Sequence, residues 1–159
     1  MKIVLLLAAL VTTGFGQTPR QVQPPFSGVR GAFFALSVAD LEASTKWYSE
    51  KLGLMVDKRD STPDASVAIL SGNGLIVELI RHRAAVPLSK AAPALKSAIE
   101  VHGISKTGVV VNDVDATFKE LKARDVEIAF GPFPARPETP YKNFAIRDNS
   151  GNLIQFFGK

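Results

Sequence analysis

Cysteine is absent from this chain of 159 residues, so the protein has neither a disulfide framework nor a thiolate metal site. A strong charge of one sign is also missing, because the net charge is only +4. The only tight basic cluster is formed by Arg81 and Arg83 around His82. We interpret this cluster as a solvated strand end rather than a nucleic-acid contact, and no nucleic-acid partner is expected.

Long apolar runs are lacking as well, and the one candidate lies at the start of the chain. Residues 1–16 have a charged Lys2, an apolar run over 3–11 and a predicted cleavage point between Gly16 and Gln17. That is the layout of a secretory signal peptide. The run is shorter than the roughly 20 residues that a membrane-spanning helix needs. We expect a protein exported to the periplasm or the medium, with no membrane contact after cleavage; an uncleaved anchor is the alternative.

The rest of the chain is expected to form one folded domain. With 46% hydrophobic and 21% charged residues, its composition is ordinary for a globular domain, and its core needs no disulfide or metal. A Pro- and Gln-rich linker is predicted over 17–29 and the domain over 30–158. The domain divides into module one at 30–83, a linker at 84–103 and module two at 104–158.

This division follows from an internal repeat. "SVADLEASTKWYSEKLGL" (37–54) resembles "VVNDVDATFKELKARDVEI" (110–128), at an offset of 73 residues. "AILSGNGLIVELI" (68–80) resembles "AIRDNSGNLIQFF" (145–157), at an offset of 77 residues. Self-similarity at this period indicates a duplicated supersecondary unit.

Each unit is predicted to fold as β-α-β-β-β. Asp40 and Asp113 are good helix N-caps, and Gly53 suits the position after a helix. A single short helix is expected in the linker near Pro93–Ile99, and the Pro-rich "GPFPARPETPY" (131–141) is expected to be a loop. The predicted strands are Phe33–Val38, Met55–Arg59, Ser66–Leu70 and Leu75–Arg81 in module one, and Lys106–Val111, Val126–Ala129, Asn143–Arg147 and Leu153–Phe157 in module two.

The motifs "xVxDLExSxxWYxxxLG" and "DxxGNLIQF" in twin units resemble the vicinal oxygen chelate superfamily. That superfamily includes glyoxalase, bleomycin-resistance proteins and extradiol dioxygenases, and the resemblance covers residues 30–158. It implies an α+β fold in which two tandem β-α-β-β-β modules form a curled eight-stranded mixed sheet around a cleft. It leaves the oligomeric state open between a monomer and a homodimer.

The resemblance also implies four metal-ligand positions, which here are Phe33, Glu78, Lys106 and Gln155. A phenyl ring has no donor atom for a metal, and an ammonium group has only hydrogen-bond donors. One carboxylate and one neutral amide do not make a tight transition-metal site. We therefore expect a degenerate metal centre and no cofactor, a divalent metal being the alternative.

Strand alternation indicates which side chains face the expected cleft. Glu78, Lys106 and Gln155 are expected to converge in a mostly apolar cleft, with Lys106 as the charge partner of Glu78. The candidate ligand-binding residues are Phe33, Ala35, Ile80, Lys106, Gln155 and Phe157.

These residues favour an exported protein that binds a small organic molecule without chemistry. The alternative is a lyase, isomerase or dioxygenase of the same superfamily. Such an enzyme would use a metal, or Glu78 as general base with Lys106 stabilising an enolate-like oxygen. Two further hypotheses concern the same cleft. In one, His82 or His102 serves as a displaced metal ligand; in the other, the protein is a scaffold whose cleft is filled by Phe33.

Overall fold

The computed structural model describes residues 33–159, which form two β-α-β-β-β modules in tandem. The predicted signal peptide and the linker over 17–29 lie outside the described residues and stay predictions. No helix within the described part of the chain is long and apolar enough to cross a bilayer.

Module one carries one helix on a four-stranded mixed sheet. Its elements in chain order are β1 (Phe33–Ser37), α1 (Leu41–Leu52), β2 (Met55–Ser61), β3 (Ala65–Gly72) and β4 (Leu75–His82). The strand order is β1-β4-β3-β2, in which β1 is parallel to β4 and the other pairs are antiparallel. The first and last strands of the module therefore lie side by side.

Module two repeats this arrangement. It contains β5 (Thr107–Val111), α3 (Val114–Ala123), β6 (Ile128–Pro134), β7 (Lys142–Arg147) and β8 (Leu153–Gly158), in the order β5-β8-β7-β6. The eight strands thus divide into two four-stranded mixed sheets. The predicted α+β architecture of two β-α-β-β-β modules is confirmed, while the strands pair within each module as a four-stranded sheet and do not form one continuous eight-stranded sheet.

The same local chemistry starts both main helices. The carboxylate of Asp40 accepts a hydrogen bond from the amide of Ala43 at 3.0 Å, and that of Asp113 accepts one from Ala116 at 2.8 Å. Each bond satisfies an amide that has no partner inside the helix. Helix α1 ends at Gly53, whose φ of 70° lies in the left-handed region that glycine adopts without strain. The sequence-based cap assignments are confirmed.

The linker between the modules differs from the prediction of one helix near Pro93–Ile99. It contains a short helix α2 (Leu88–Ala91) and a separate 3₁₀ turn (Ala98–Glu100). The residue before a proline avoids helical geometry, so α2 ends before Pro93 instead of running through it. Ser97 then caps the 3₁₀ turn by accepting a hydrogen bond from the amide of Ile99 at 3.4 Å.

Strand β6 is longer than the predicted segment Val126–Ala129 and runs into the Pro-rich stretch. It is the edge strand of its sheet, which is where prolines such as Pro132 and Pro134 are tolerated in a strand. Two register irregularities interrupt its pairing with β7. The loop that remains covers only 135–141.

One hydrophobic core joins the two modules. The fully buried apolar side chains of the core are Tyr48, Ala68, Leu70, Val77, Leu79, Val114, Phe144, Ile146 and Ile154.

Lys51 and Arg124 correspond to each other in the repeat, and they make a reciprocal contact between the modules. The amino group of Lys51 donates a hydrogen bond to the carbonyl oxygen of Arg124, and the guanidinium of Arg124 donates one back to the carbonyl oxygen of Lys51.

Candidate functional site

The first sheet has one face on the core and one open face. Strand register places Ala35 beside Glu78 and Phe33 beside Ile76 on the open face. The alternate residues, such as Leu79, are buried in the core. Phe33 is 66% exposed, so a large aromatic side chain stands on this face with little packed against it from the described residues. The alternation expected from the sequence is present here.

The second sheet has an equivalent open face with more polar groups. Register places Gly108 beside Gln155 and Val110 beside Phe157, and Val110 is 81% exposed. The side-chain amide of Gln155 donates a 2.9 Å hydrogen bond to the Oδ1 atom of Asn143 on the neighbouring strand. The resulting pair of amides occupies the middle of this open face.

An aromatic stack lies beside the amide pair. The rings of Tyr141 and Phe157 are 5.3 Å apart between centroids and within 4° of parallel. The ammonium group of Lys159 lies 5.9 Å from the centroid of Tyr141, within the range of a cation–π contact. Both rings are partly exposed, which leaves aromatic surface available at this edge of the sheet.

Glu78 and Lys106 are not paired in the structure. Glu78 is half-buried in the middle of β4, whereas Lys106 is exposed and precedes the first residue of β5. Within residues 33–159 neither side chain takes part in an ion pair. Lys106 instead lines a cavity beside the linker. The charge pair that strand alternation suggested is therefore not formed among the described residues.

The residues at the four implied ligand positions do not fit the family's metal centre. Phe33 has no donor atom, Lys106 carries an ammonium group, and Gln155 offers only a neutral carbonyl oxygen, which is a weak ligand for a transition metal. Glu78 is the single carboxylate among them. Across residues 33–159 no three His, Cys, Asp or Glu side chains lie close enough together to hold a metal ion.

The two histidines lie at other places in the fold. His82 ends β4, is exposed, and its Nδ1 atom accepts a 3.1 Å hydrogen bond from the amide of Ala84. A ring nitrogen that accepts this bond is turned toward its own loop. His102 is an exposed linker residue next to Gly103. Neither histidine belongs to a cluster of ligand side chains in the described part of the chain.

Sequence reasoning missed Tyr141 and Asn143 as candidate site residues. Tyr141 was placed at the end of a Pro-rich loop, and Asn143 was treated only as the start of a strand. Once β7 is paired with β8, Asn143 lies opposite Phe157, on the same face as Gln155. The signal in the sequence was the spacing of two residues between Tyr141 and Asn143, which places both on one face of an extended chain.

The group with the most perturbed acidity lies away from the open faces. Burial raises the pKa of the Tyr48 hydroxyl far above its ordinary value of 10.0, and the charge of Asp148 and its hydrogen bond to the hydroxyl add to this effect. The hydroxyl stays protonated, so it serves as a hydrogen-bond donor inside the core.

Comparison with known families agrees with the fold. The model of the Glyoxalase/Bleomycin resistance protein/Dioxygenase superfamily matches residues 31–156. The chain belongs to this superfamily. The match spans both modules. A comparison with curated proteins found none that matches the chain.

Solved structures of superfamily proteins share the fold at low sequence identity. The glyoxalase family protein from Enterococcus faecalis has a TM-score of 0.62 and 18% identity, over 83% of this chain and 98% of that one. A domain from Frankia sp. EAN1pec has a TM-score of 0.59 and 20% identity, over 84% and 98% of the two chains. A glyoxalase I mutant from Zea mays has a TM-score of 0.56 and 16% identity, over 82% of this chain. This chain spans only 44% of the maize chain.

Proposed function

We propose that this superfamily member is an exported protein that binds a small, planar organic molecule on its open sheet faces, without the family's metal centre. The observation that carries the proposal is the Tyr141–Phe157 stack next to the Gln155–Asn143 amide pair. Aromatic surface beside a few fixed polar groups is the ordinary composition of a small-molecule site.

The amide pair supplies directional hydrogen bonds. Gln155 uses one N–H on Asn143, and its carbonyl oxygen has no hydrogen-bond partner within residues 33–159. The amide nitrogen of Asn143 makes a long 3.5 Å contact with the carbonyl oxygen of Phe133. The carbonyl oxygen of Gln155 therefore remains as an acceptor, and the side-chain NH2 groups of Gln155 and Asn143 each keep a second N–H as a donor, for a ligand that carries both a carbonyl group and an N–H.

The first sheet supplies apolar surface and one charge. On the open face of this sheet, strands β1 and β4 present the apolar side chains of Phe33, Ala35 and Ile80, with Glu78 among them. The superfamily alternative, a lyase, isomerase or dioxygenase, has less support. It would need a metal that these residues do not fit, or a Glu78–Lys106 pair that the described residues do not form.

Binding can be measured by calorimetric titration with planar heteroaromatic amides and lactams such as nicotinamide and 4-quinolone. The substitutions Tyr141→Ala and Gln155→Ala should each weaken the affinity of a compound that binds, by about three- to tenfold, since one stacking contact or one hydrogen bond contributes roughly 0.5–1.5 kcal/mol. Ile99→Ala is the matched control, because Ile99 is 77% exposed on the linker. Absence of binding, or binding that neither substitution changes, would contradict the proposal.

Export is tested separately by producing the full chain and sequencing the N-terminus of the mature protein. The expected first residue is Gln17, in protein recovered from the periplasm or the medium. A chain that keeps Met1 and stays with the membrane fraction would show that the signal is an uncleaved anchor instead.

A further inference from the structure

A cavity of about 400 Å³ lies between the linker and module two, outside the two open sheet faces. From its lining we infer that it binds a small amphipathic organic anion, a carboxylate attached to an apolar chain. Lys106 is shared with the implied ligand positions of the superfamily's cleft, but Phe33, Glu78 and Gln155 lie outside the lining, as do the residues of the stack and the amide pair on the second sheet. This site would therefore be a second one, independent of the function proposed above.

The lining of this linker cavity is cationic. Lys96, Lys106 and Arg147 contribute to it, and no aspartate or glutamate does. Neither lysine side chain is in an ion pair within residues 33–159. Arg147 is partly engaged, since its Nε atom lies 3.4 Å from a carboxylate oxygen of Glu127. Two uncommitted ammonium groups with no neutralising carboxylate in the lining make a favourable position for an anion.

Hydroxyl groups and apolar side chains complete the lining. Ile104 is 88% exposed and Leu88 is also exposed, so both present hydrocarbon surface at the cavity with little covering it. A simple inorganic anion would use the charges and leave this apolar surface in water. The lining also contains hydroxyl groups, among them those of Ser97 and Ser105.

The volume bounds the size of the ligand. At about 30 Å³ for each water-sized atom, 400 Å³ holds roughly 13 non-hydrogen atoms. Octanoate is smaller than this limit and combines one carboxylate with a flexible hydrocarbon chain. A longer hydrocarbon chain would leave part of its length in water, so the inferred class is a short or medium-chain organic acid.

The inference can be tested by calorimetric titration of the purified protein with octanoate, octanol and inorganic phosphate. Octanoate should bind more tightly than the other two, because only octanoate satisfies both the charges and the apolar surface. The double substitution Lys96→Gln and Lys106→Gln should weaken octanoate binding by about tenfold, the effect of losing one charge-assisted hydrogen bond. Lys90→Gln is the matched control, since Lys90 is an exposed linker lysine outside the lining.

Backbone amide chemical shifts would locate the bound octanoate. The largest changes are expected at Ser97, Ser105 and Gly151. Equal affinity for octanol, or octanoate affinity unchanged in the double variant, would overturn the inference. Changes confined to Tyr141 and Phe157 would also overturn it and would place the ligand on the open face. Failure here leaves the heteroaromatic titration and its variants unaffected, so the two proposals can fail independently.

Discussion

The hydroxyl of Tyr48 in module one donates a 2.9 Å hydrogen bond to the Oδ2 atom of Asp148 in module two. Both side chains are buried. Asp148 also accepts hydrogen bonds from the amides of Ser150 and Asn152, so its carboxylate organises the β7–β8 turn while it holds helix α1. This contact fixes the junction between modules with a directional polar bond inside an apolar core.

Replacing Tyr48 with phenylalanine should destabilise the protein. The ring stays, but the Oδ2 atom of Asp148 loses one of its two donors, the other being the side-chain amide of Asn152. The loss of a hydrogen bond to a charged group costs about 1.5–3 kcal/mol. The free energy of unfolding in urea measures this. Tyr141→Phe is the control and should change stability little, because Tyr141 is partly exposed and no hydrogen bond of its hydroxyl is present within the described residues. Equal stability of the two variants would contradict the role given to the Tyr48 hydroxyl.

The same hydroxyl predicts a loss of stability at alkaline pH. Burial raises the pKa of Tyr48 in the folded state above the ordinary value of 10.0, so the unfolded chain releases this proton first. The stability is fully present below pH 10 and falls as the pH rises above it, by up to about 1.4 kcal/mol per pH unit from this group. Urea unfolding at a series of alkaline pH values should show a steeper decline for the native protein than for Tyr48→Phe.

Gly158→Ala should disrupt the pairing of β5 with β8. A Cβ atom at Gly158 would lie 1.9 Å from the carbonyl oxygen of Val111, and this oxygen belongs to the backbone of the paired strand, which cannot rotate away as a side chain can. We expect a loss of at least about 3 kcal/mol, or a chain that does not fold. Gly108→Ala in the same sheet is the control, because its nearest atom would be the carbonyl oxygen of Gln155 at an ordinary 3.7 Å. Similar stability of the two alanine variants in thermal unfolding would be evidence against this packing.

Because both modules start their helix with an aspartate N-cap, removing either cap should destabilise the protein by a similar amount. Asp40→Ala and Asp113→Ala should each lower the free energy of unfolding by about 1 kcal/mol, since each removes the side-chain acceptor of a helix N-terminus. Asp57→Ala removes an exposed carboxylate with no hydrogen bond among residues 33–159 and should be close to neutral. A neutral result for either cap variant would show that its helix does not depend on the cap.

Metal content tests the assignment of a degenerate centre. Protein purified without chelators and dialysed against nickel, zinc, manganese and iron should hold far less than one metal ion per chain by elemental mass spectrometry. Glu78→Ala should not alter this content, and Glu50→Ala serves as a surface control. Stoichiometric metal that disappears only in Glu78→Ala would restore the metalloenzyme alternative.

Much of the fold follows from patterns that are local in the sequence. The repeat located both modules, and Asp40 and Asp113 marked the helix starts because a cap acts within one turn. Strand alternation correctly separated Phe33, Ala35 and Glu78 from the buried residues between them, since a period of two applies wherever one sheet face is packed.

What the sequence could not reveal depends on distances between separate elements. Alternation gives the face of Glu78, but not its separation from Lys106, which lies at the end of the linker, just before the first strand of the other sheet. The Tyr141–Phe157 stack depends on a β7–β8 register that the Pro-rich segment before it obscured. The linker cavity combines Lys96, Arg147 and the β7–β8 turn, and no periodic pattern connects them.

The reciprocal contact between Lys51 and Arg124 bears on how this protein arose. Equivalent positions of two modules that touch each other in both directions form a self-complementary contact, the kind that two identical subunits make across a two-fold axis. A single ancestral module would have presented the same surface to a second copy of itself. The junction within today's chain is what duplication and fusion of the single gene of such a homodimer would leave, after which the halves diverged and Tyr48 and Asp148 made the junction asymmetric.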